Sequence, residues 1–275
     1  MGGNDEYIDI EHKELIKKEI RKRYLISEDD FLIITGGKID KEKNIDLLLK
    51  AVVELNISNL KLAFFGKPNR KGLLTPQKVL KSIDEIIKGD AIVTTDVGQH
   101  QMWSALHLTF KNHNLISSGG GGTMGFGLPS AIGAQIAFPN KKVLAIVGDG
   151  GVQMNIQELM LLKKYKLPIK VFIMNNSYLG MVRQWQELFH EKRYSSVNLD
   201  DNPDFMLLAQ AYGIKGVTLK NEMDLEKLDE IINLNEPVLI NCIVVGEENV
   251  FPMIPAGKSV DDMIGMRGVR DDEKI

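Results

Sequence analysis

Short apolar runs alternate with amphipathic stretches along most of this chain. Residues 79–87, 102–108, 128–137, 156–164 and 179–189 have the length and the apolar spacing of helices that bury one face. Between them, residues 91–95, 115–117, 143–147 and 169–174 are brief apolar runs that read as buried strands. A strand at 214–219, a helix near 225–234 and a strand at 238–245 complete the series. Alternation at this interval predicts an α/β fold, a doubly wound and mostly parallel sheet flanked by helices. Ligands bind such sheets beyond the carboxyl ends of the strands, where the unusual loops gather.

A shorter pattern precedes this one. Residues 11–24 are charged and helix-prone, with Leu15, Ile16 and Ile20 on one face. Residues 31–35 form an apolar β-branched run closed by Gly36-Gly37, Asn44 is placed to cap a helix at 45–55, and 60–65 is a second strand closed by Gly66. That is one strand–helix–strand unit. Residues 67–75 are polar and broken by Pro68 and Gly72, and read as a junction. The expected organisation is a helix plus βαβ segment at 1–70, the larger α/β domain at 71–265 and a charged tail at 266–275.

Composition narrows the function classes. A hydrophobic fraction of 44%, a charged fraction of 26% and a net charge of -3 are those of an ordinary soluble protein. The mild acidity argues against nucleic-acid and membrane-surface partners, which favour a basic face. No apolar run reaches the roughly 18 residues of a membrane span, and the charged first residues do not form a signal peptide. A lone cysteine, Cys242, lies in an apolar run, so no disulfide can form within the chain. It reads as a small buried hydrophobe on a strand, and the expected compartment is the cytoplasm.

Chemistry concentrates at two strand ends. Asp149 sits between Gly148 and Gly150 directly after the strand at 143–147. Some two dozen residues later the next strand ends in Asn175-Asn176. Neighbouring parallel strands bring Asp149 and Asn176 to one sheet edge. A carboxylate and an amide oxygen suit a hard octahedral Mg²⁺ that also binds phosphate oxygens. Glycines let backbone approach a diphosphate, and the N-terminus of the following helix adds free N–H groups. Taken alone, Gly-Asp-Gly is equally a tight strand–helix turn. The paired asparagine separates the two readings.

This spacing is the thiamine diphosphate motif, and the resemblance extends further. Asp96-Val97-Gly98-Gln99-His100-Gln101-Met102-Trp103, Gly122-Thr123-Met124-Gly125-Phe126-Gly127-Leu128-Pro129, Gly180-Met181-Val182-Arg183-Gln184-Trp185-Gln186 and Asn249-Val250-Phe251-Pro252-Met253-Ile254-Pro255 look like the catalytic subunit of acetolactate synthase. The match runs from about residue 74 to 265 and covers that family's C-terminal, diphosphate-binding domain. It implies Asp149, the Asn176 side chain and the Tyr178 carbonyl as Mg²⁺ ligands. It places Gly98, Gln99 and His100 along the diphosphate, with Gly150 and Gly151 close to it. Gly122 and Met124 fall near the aminopyrimidine, Met124 propping the cofactor into a bent conformation. Met181, Val182 and Trp185 form the wall toward cofactor and substrate, with Trp185 favouring a 2-ketoacid acceptor. Without the resemblance, His100 reads equally as a solvated helix residue, and Met124, Met181 and Trp185 as core. Arg183, Lys192 and Arg193 read as a solvated basic edge, and Glu158 as a packing or surface residue.

The implied activity is decarboxylation of pyruvate and its ligation to a second small 2-ketoacid, a step of branched-chain amino-acid biosynthesis. Pyruvate oxidase and glyoxylate carboligase are the alternatives within thiamine chemistry, and a non-catalytic cofactor-binding fragment the alternative outside it. A complete acetolactate synthase resembles three domains in series. The first bears a glutamate for the cofactor's ring, and the second binds FAD. Fewer than 80 residues precede the matching region here, so activity of this chain alone is not expected, and no catalytic residue is assigned. A homodimer, or pairing with a chain that carries the pyrimidine domain, is the expected partnership. Apolar surface left by the missing domains predicts self-association. Residues 30–69, with Thr35-Gly36-Gly37-Lys38 and Lys43, resemble instead the start of the donor-nucleotide domain of GT-B glycosyltransferases. The chain thus looks like a join between parts of two proteins.

Overall fold

A computed structural model of the chain describes residues 18, 21–22, 27, 29–36, 60–65 and 73–265. The chain divides into two compact units, Met1–Lys71 and Gly72–Ile275. In the first, β1 (Phe31–Gly36) and β2 (Leu60–Phe65) pair in parallel, Phe31 opposite Leu60 and Gly36 opposite Phe65. The helix expected at 45–55 and the tail at 266–275 lie outside the described residues, as does most of the helix at 11–24.

The second unit holds the alternating pattern. Its strands are β3 (Ile92–Thr95), β4 (Leu115–Ser117), β5 (Val143–Gly148), β6 (Lys170–Asn175), β7 (Lys215–Leu219) and β8 (Val238–Ile243). They form one six-stranded sheet in the order β4-β3-β5-β6-β8-β7, every pair parallel. Around it lie α1 (Pro76–Ile87), α2 (Gln99–His107), α3 (Gly127–Ala137), α4 (Asp149–Val152), α5 (Leu159–Lys164), α6 (Gly180–Phe189), α7 (Phe205–Ala211) and α8 (Leu228–Asn233).

Period-two alternation along the central strands builds a core on each face of the sheet. Leu144, Ile146, Phe172 and Met174 pack with Val79, Leu80 and Ile83 of α1, Trp103 of α2 and Leu228 of α8. Val143, Ala145, Val147, Val171 and Ile173 pack on the opposite face with Leu128, Ala131 and Ile132 of α3, Leu159 and Leu162 of α5 and Phe205 of α7. The result is a three-layer sandwich whose inner strands are shielded from water on both sides.

Three local expectations change. The junction at 67–75 ends inside the fold. Leu74 is fully buried, its carbonyl accepts from the Val245 N–H at 3.0 Å, and Thr75 caps α1 by accepting from Lys78 N with Pro76 at the first helical position. The helix expected at 156–164 is a 3₁₀ stretch (Gln153–Glu158) followed by α5, and Asn155 leaves helical geometry at φ -135° and ψ 36°. Its side chain is used elsewhere, donating to the Gly125 carbonyl at 2.9 Å. Finally, α7 was not foreseen. Asp204 caps it by accepting from Met206 N and Leu207 N, and the seven-residue helix is too short to show a clear period.

Gly127 opens α3 where it crosses β3. A Cβ there would lie 2.8 Å from Val147 Cγ1 and 2.9 Å from the Asp96 backbone nitrogen. Helix propensity favours alanine by about 1 kcal/mol, but overpacking of a close helix–strand contact costs about 1–3 kcal/mol. Gly127→Ala is therefore expected to lower the urea midpoint of unfolding. A raised midpoint would show that the helix–strand contact relaxes freely.

Candidate functional site

Chain direction across the sheet reverses between β3 and β5: β3 leads outward to β4, whereas β5 leads the other way to β6. A crevice opens at such a switch point, beyond the carboxyl ends of the two strands. A cavity of about 200 Å³ occupies that position, lined by Val97–His100 after β3, Gly148–Gly151 after β5, and Asn176 with Tyr178–Val182 after β6. Pairing of β5 with β6 sets Gly148 opposite Met174, so Asp149 and Asn176 emerge side by side. The sequence expectation for these two residues rested on that neighbourhood.

Three helices start at this cavity, and none is capped by the side chain of its N-cap residue. The N-cap positions are Gly98 for α2, Gly148 for α4 and Leu179 for α6. Orphan N–H groups and the positive dipole ends of helices attract anions, and here they converge. Gly98 reaches its position at φ +144°, where a side chain would be strained. Gly151 has no alternative either, because a Cβ there would lie 1.9 Å from Asp96 Oδ2.

Asp149 is 1% exposed, and burial pushes its carboxyl up to about 6. Among the described residues no cationic side chain pairs with it. Its Oδ2 accepts from Asn202 Nδ2 at 2.8 Å, and the backbone N–H groups of Gly150 and Ser177 face the carboxylate as well. Asn176 Oδ1 accepts from the Tyr178 N–H at 3.1 Å, while its Nδ2 stands 3.5 Å from Gln99 Oε1. No cluster of three His, Cys, Asp or Glu side chains exists among the described residues. A cation at this edge must therefore be held by one carboxylate with amide and carbonyl oxygens, a donor set that suits a hard divalent ion retaining phosphate ligands.

The Met124 side of the cavity is clamped from behind. Asp96 Oδ1 accepts from Gly125 N at 2.7 Å, and Asn155 holds the Gly125 carbonyl. Burial raises the Asp96 carboxyl above its ordinary range, and its Oδ2 is buried without a partner. Met124 thus reaches the cavity from a fixed glycine turn. His100 is not solvated: it is 6% exposed, lines the cavity, and burial lowers its imidazole to about 4. It is neutral near pH 7, with Nε2 buried and unpartnered.

A run of amides supports the other wall. Gln99 Nε2 donates to Gln184 Oε1 and to the Glu248 carbonyl, both at 2.8 Å, and Gln184 grips both backbone groups of Val250. The expectation of a solvated edge at Arg183 is overturned. Arg183 is 8% exposed, pairs with Glu187 at 2.9 Å, and lies 5.2 and 4.9 Å from the Tyr178 and Tyr194 rings, whose faces stabilise its charge. Met181 and Val182 line the cavity, whereas Trp185 is half-buried against Phe189 at 5.2 Å and Gly122 is exposed; neither of the latter lines it. Cys242 is fully buried in β8, where burial pushes its thiol up. Sequence reasoning missed Asn202, Gln153, Asn155 and Gln184. All are neutral amides, which no charge or spacing signal distinguishes from surface polar residues.

Residues 96–242, more than half of the chain, match the family described as thiamine pyrophosphate enzyme, C-terminal TPP binding domain. The chain belongs to this family. The chain, with its thiamine pyrophosphate (thiamine diphosphate) binding domain, is 53% identical over 203 residues to the acetolactate synthase large subunit of Lactococcus lactis subsp. lactis, covering 74% of this chain and 35% of that protein. The large subunits of Cyanidium caldarium (48% over 201 residues, 72% and 34%) and Escherichia coli K12 isozyme 2 (48% over 189 residues, 68% and 34%) are similarly related. The chain thus spans about a third of the length of these relatives. Residues 16–94 match a second description, glycosyl transferases group 1, a similarity that runs across the boundary between the two compact units. No helix among the described residues is long and apolar enough to cross a membrane.

Buried without a counter-ion, Asp149 works against the cofactor-free fold. Its carboxyl lies above the ordinary 3.8, so its favourable contribution is complete below that pH and is lost as pH rises through about 6. Asp149→Asn should therefore stabilise the cofactor-free chain by about 1–3 kcal/mol at pH 7, and by nothing near pH 4. Thermal melts at the two pH values check this; equal midpoints at pH 7 would show that the carboxylate is adequately solvated as it stands.

Proposed function

We propose that this domain holds thiamine diphosphate and Mg²⁺ as the cofactor half of an acetolactate synthase-type active site. The observation that carries the proposal is the meeting of an uncompensated buried carboxylate with three uncapped helix starts in one cavity. Asp149, Asn176 and the Tyr178 carbonyl would hold the metal. Gly98, Gln99, His100, Gly150 and Gly151 would lie along the diphosphate, and Met124 and Met181 against the organic rings. When bound, thiamine diphosphate supplies the carbon that takes up and releases the acyl group of a 2-ketoacid. The chain's own contribution is placement: backbone N–H groups bind the anionic end, apolar Met124, Met181 and Val182 exclude water, and neutral His100 adds no competing charge. Gly122, two residues before Met124, would sit near the aminopyrimidine, and Trp185, one turn along α6 from Met181, would extend the site toward the substrate.

Pyruvate and a second small 2-ketoacid are the proposed substrates, supported by the relatives named acetolactate synthase large subunit. Because the chain spans about a third of those relatives, turnover is proposed for an assembly, a homodimer or a pair with a chain bearing a pyrimidine domain. FAD would belong to the whole enzyme, and no described residue here is assigned to it. A cytoplasmic location fits this proposal.

Calorimetric titration of the chain with thiamine diphosphate and Mg²⁺, beside Asp149→Ala, tests the site. Saturable binding that weakens at least about 100-fold in the variant is expected, as for loss of a charged ligand in a buried site. Equal binding by the two chains would remove Asp149 from the metal site, and no binding by either would remove the cofactor role of this chain.

A further inference from the structure

The carboxylate of Asp149 is not offered symmetrically. Oδ2 carries the bond from Asn202 Nδ2 at 2.8 Å, the one side-chain donor to this carboxylate among the described residues, while its other donors, Gly150 and Ser177, are backbone N–H groups. Asn202 is itself held at its other end, Oδ1 accepting from Gln153 Nε2 at 2.9 Å, and the same Gln153 nitrogen donates to the Asp149 carbonyl at 2.9 Å. The amide can therefore not turn over without losing both bonds.

Asn202 comes from outside the strand–loop–strand motif, yet its delivery is built into the fold. The segment before it is zipped onto the loop that follows β6: Leu179 N donates to the Val197 carbonyl and Leu199 N to the Ser177 carbonyl, both at 2.8 Å, around a Tyr178–Asn198 bridge. Asn202 N then closes on the Leu199 carbonyl at 3.1 Å. Two residues later Asp204 caps α7, and Phe205, 1% exposed, anchors it in the core. One strap thus pins both the loop carrying Tyr178 and one oxygen of Asp149.

We propose that Asn202 is a positioning residue that restricts Asp149 to one metal-binding oxygen and thereby favours Mg²⁺ over Ca²⁺. This rests on the metal site proposed above. Mg²⁺ demands near-ideal octahedral geometry and takes carboxylates through single oxygens, whereas Ca²⁺ accepts six to eight ligands and carboxylates bound through both. With Oδ2 held by an amide, the second mode is disfavoured, because it must share or displace that hydrogen bond. Partners that orient a metal ligand typically contribute about 10–100-fold in affinity, and this one also contributes selectivity.

The test is separate calorimetric titration of Mg²⁺ and Ca²⁺ into the full chain saturated with thiamine diphosphate, with metal–cofactor blanks subtracted. The chains are the parent, Asn202→Ala and Asn202→Asp. The second variant keeps the size of the side chain and its acceptor for Gln153, but cannot donate to Asp149. The expected result is a Mg²⁺-to-Ca²⁺ preference that falls about tenfold or more in both variants. A merely structural role would lower both affinities together and leave their ratio alone. A ratio within twofold of the parent in Asn202→Asp would overturn the proposal while leaving the metal site standing. A parent chain that binds neither metal would overturn the site, and this proposal with it.

Discussion

An ionised carboxylate at the end of a buried strand, with no cationic side chain paired to it among the described residues, is the constraint around which this domain is organised. Desolvating a charge is tolerable only where other groups replace water. Around Asp149 the replacements are backbone N–H groups and one amide, enough to keep the group in place but not to return its carboxyl to the ordinary range. The surroundings follow from that need. β5 and β6 must be neighbours so that the loop after β6 can close over the carboxylate, and the strap through Asn202 must be zipped to that loop. Gly151 must lack a side chain so that Asp96 can pass behind it and hold Gly125, which in turn fixes Met124. Instability of about 1–3 kcal/mol is thereby concentrated at one place, where the proposed metal would relieve it.

The fold was legible because its central strands are written in two overlapping periods. Alternation within 143–147 and 170–174 marks strands with two dry faces, and the intervening three-four spacing marks the helices that cover them. Asp149 and Asn176 were legible for the same reason: each stands just past a strand that could be located. Short or irregular elements were not legible. The seven residues of α7 are too few to show a period, and the break at Asn155 arises from a hydrogen bond to Gly125, thirty positions earlier. Arg183 shows the limit from the other side. A charged residue on a helix reads as solvated until two tyrosines, one from each flanking loop, are seen to enclose it.

The amides were illegible for a deeper reason, and that reason explains their use. Gln153, Asn155, Gln184 and Asn202 brace the cavity together with Gln99 and Asn176, the two amides a motif did mark, and none of the six carries charge. Lysine or arginine in any of these places would supply stronger bonds. At Asn202 it would also neutralise Asp149 and compete with the proposed metal for it. A charged imidazole would act likewise, and burial keeps His100 neutral down to about pH 4. What positive potential remains comes from the helix starts at Gly98, Gly148 and Leu179, whose partial charges are fixed in direction. Neutral side chains hold the geometry while backbone dipoles hold the field. The proposed anion and cation sites can then lie within one small cavity without cancelling each other, as a metal-bound diphosphate would require.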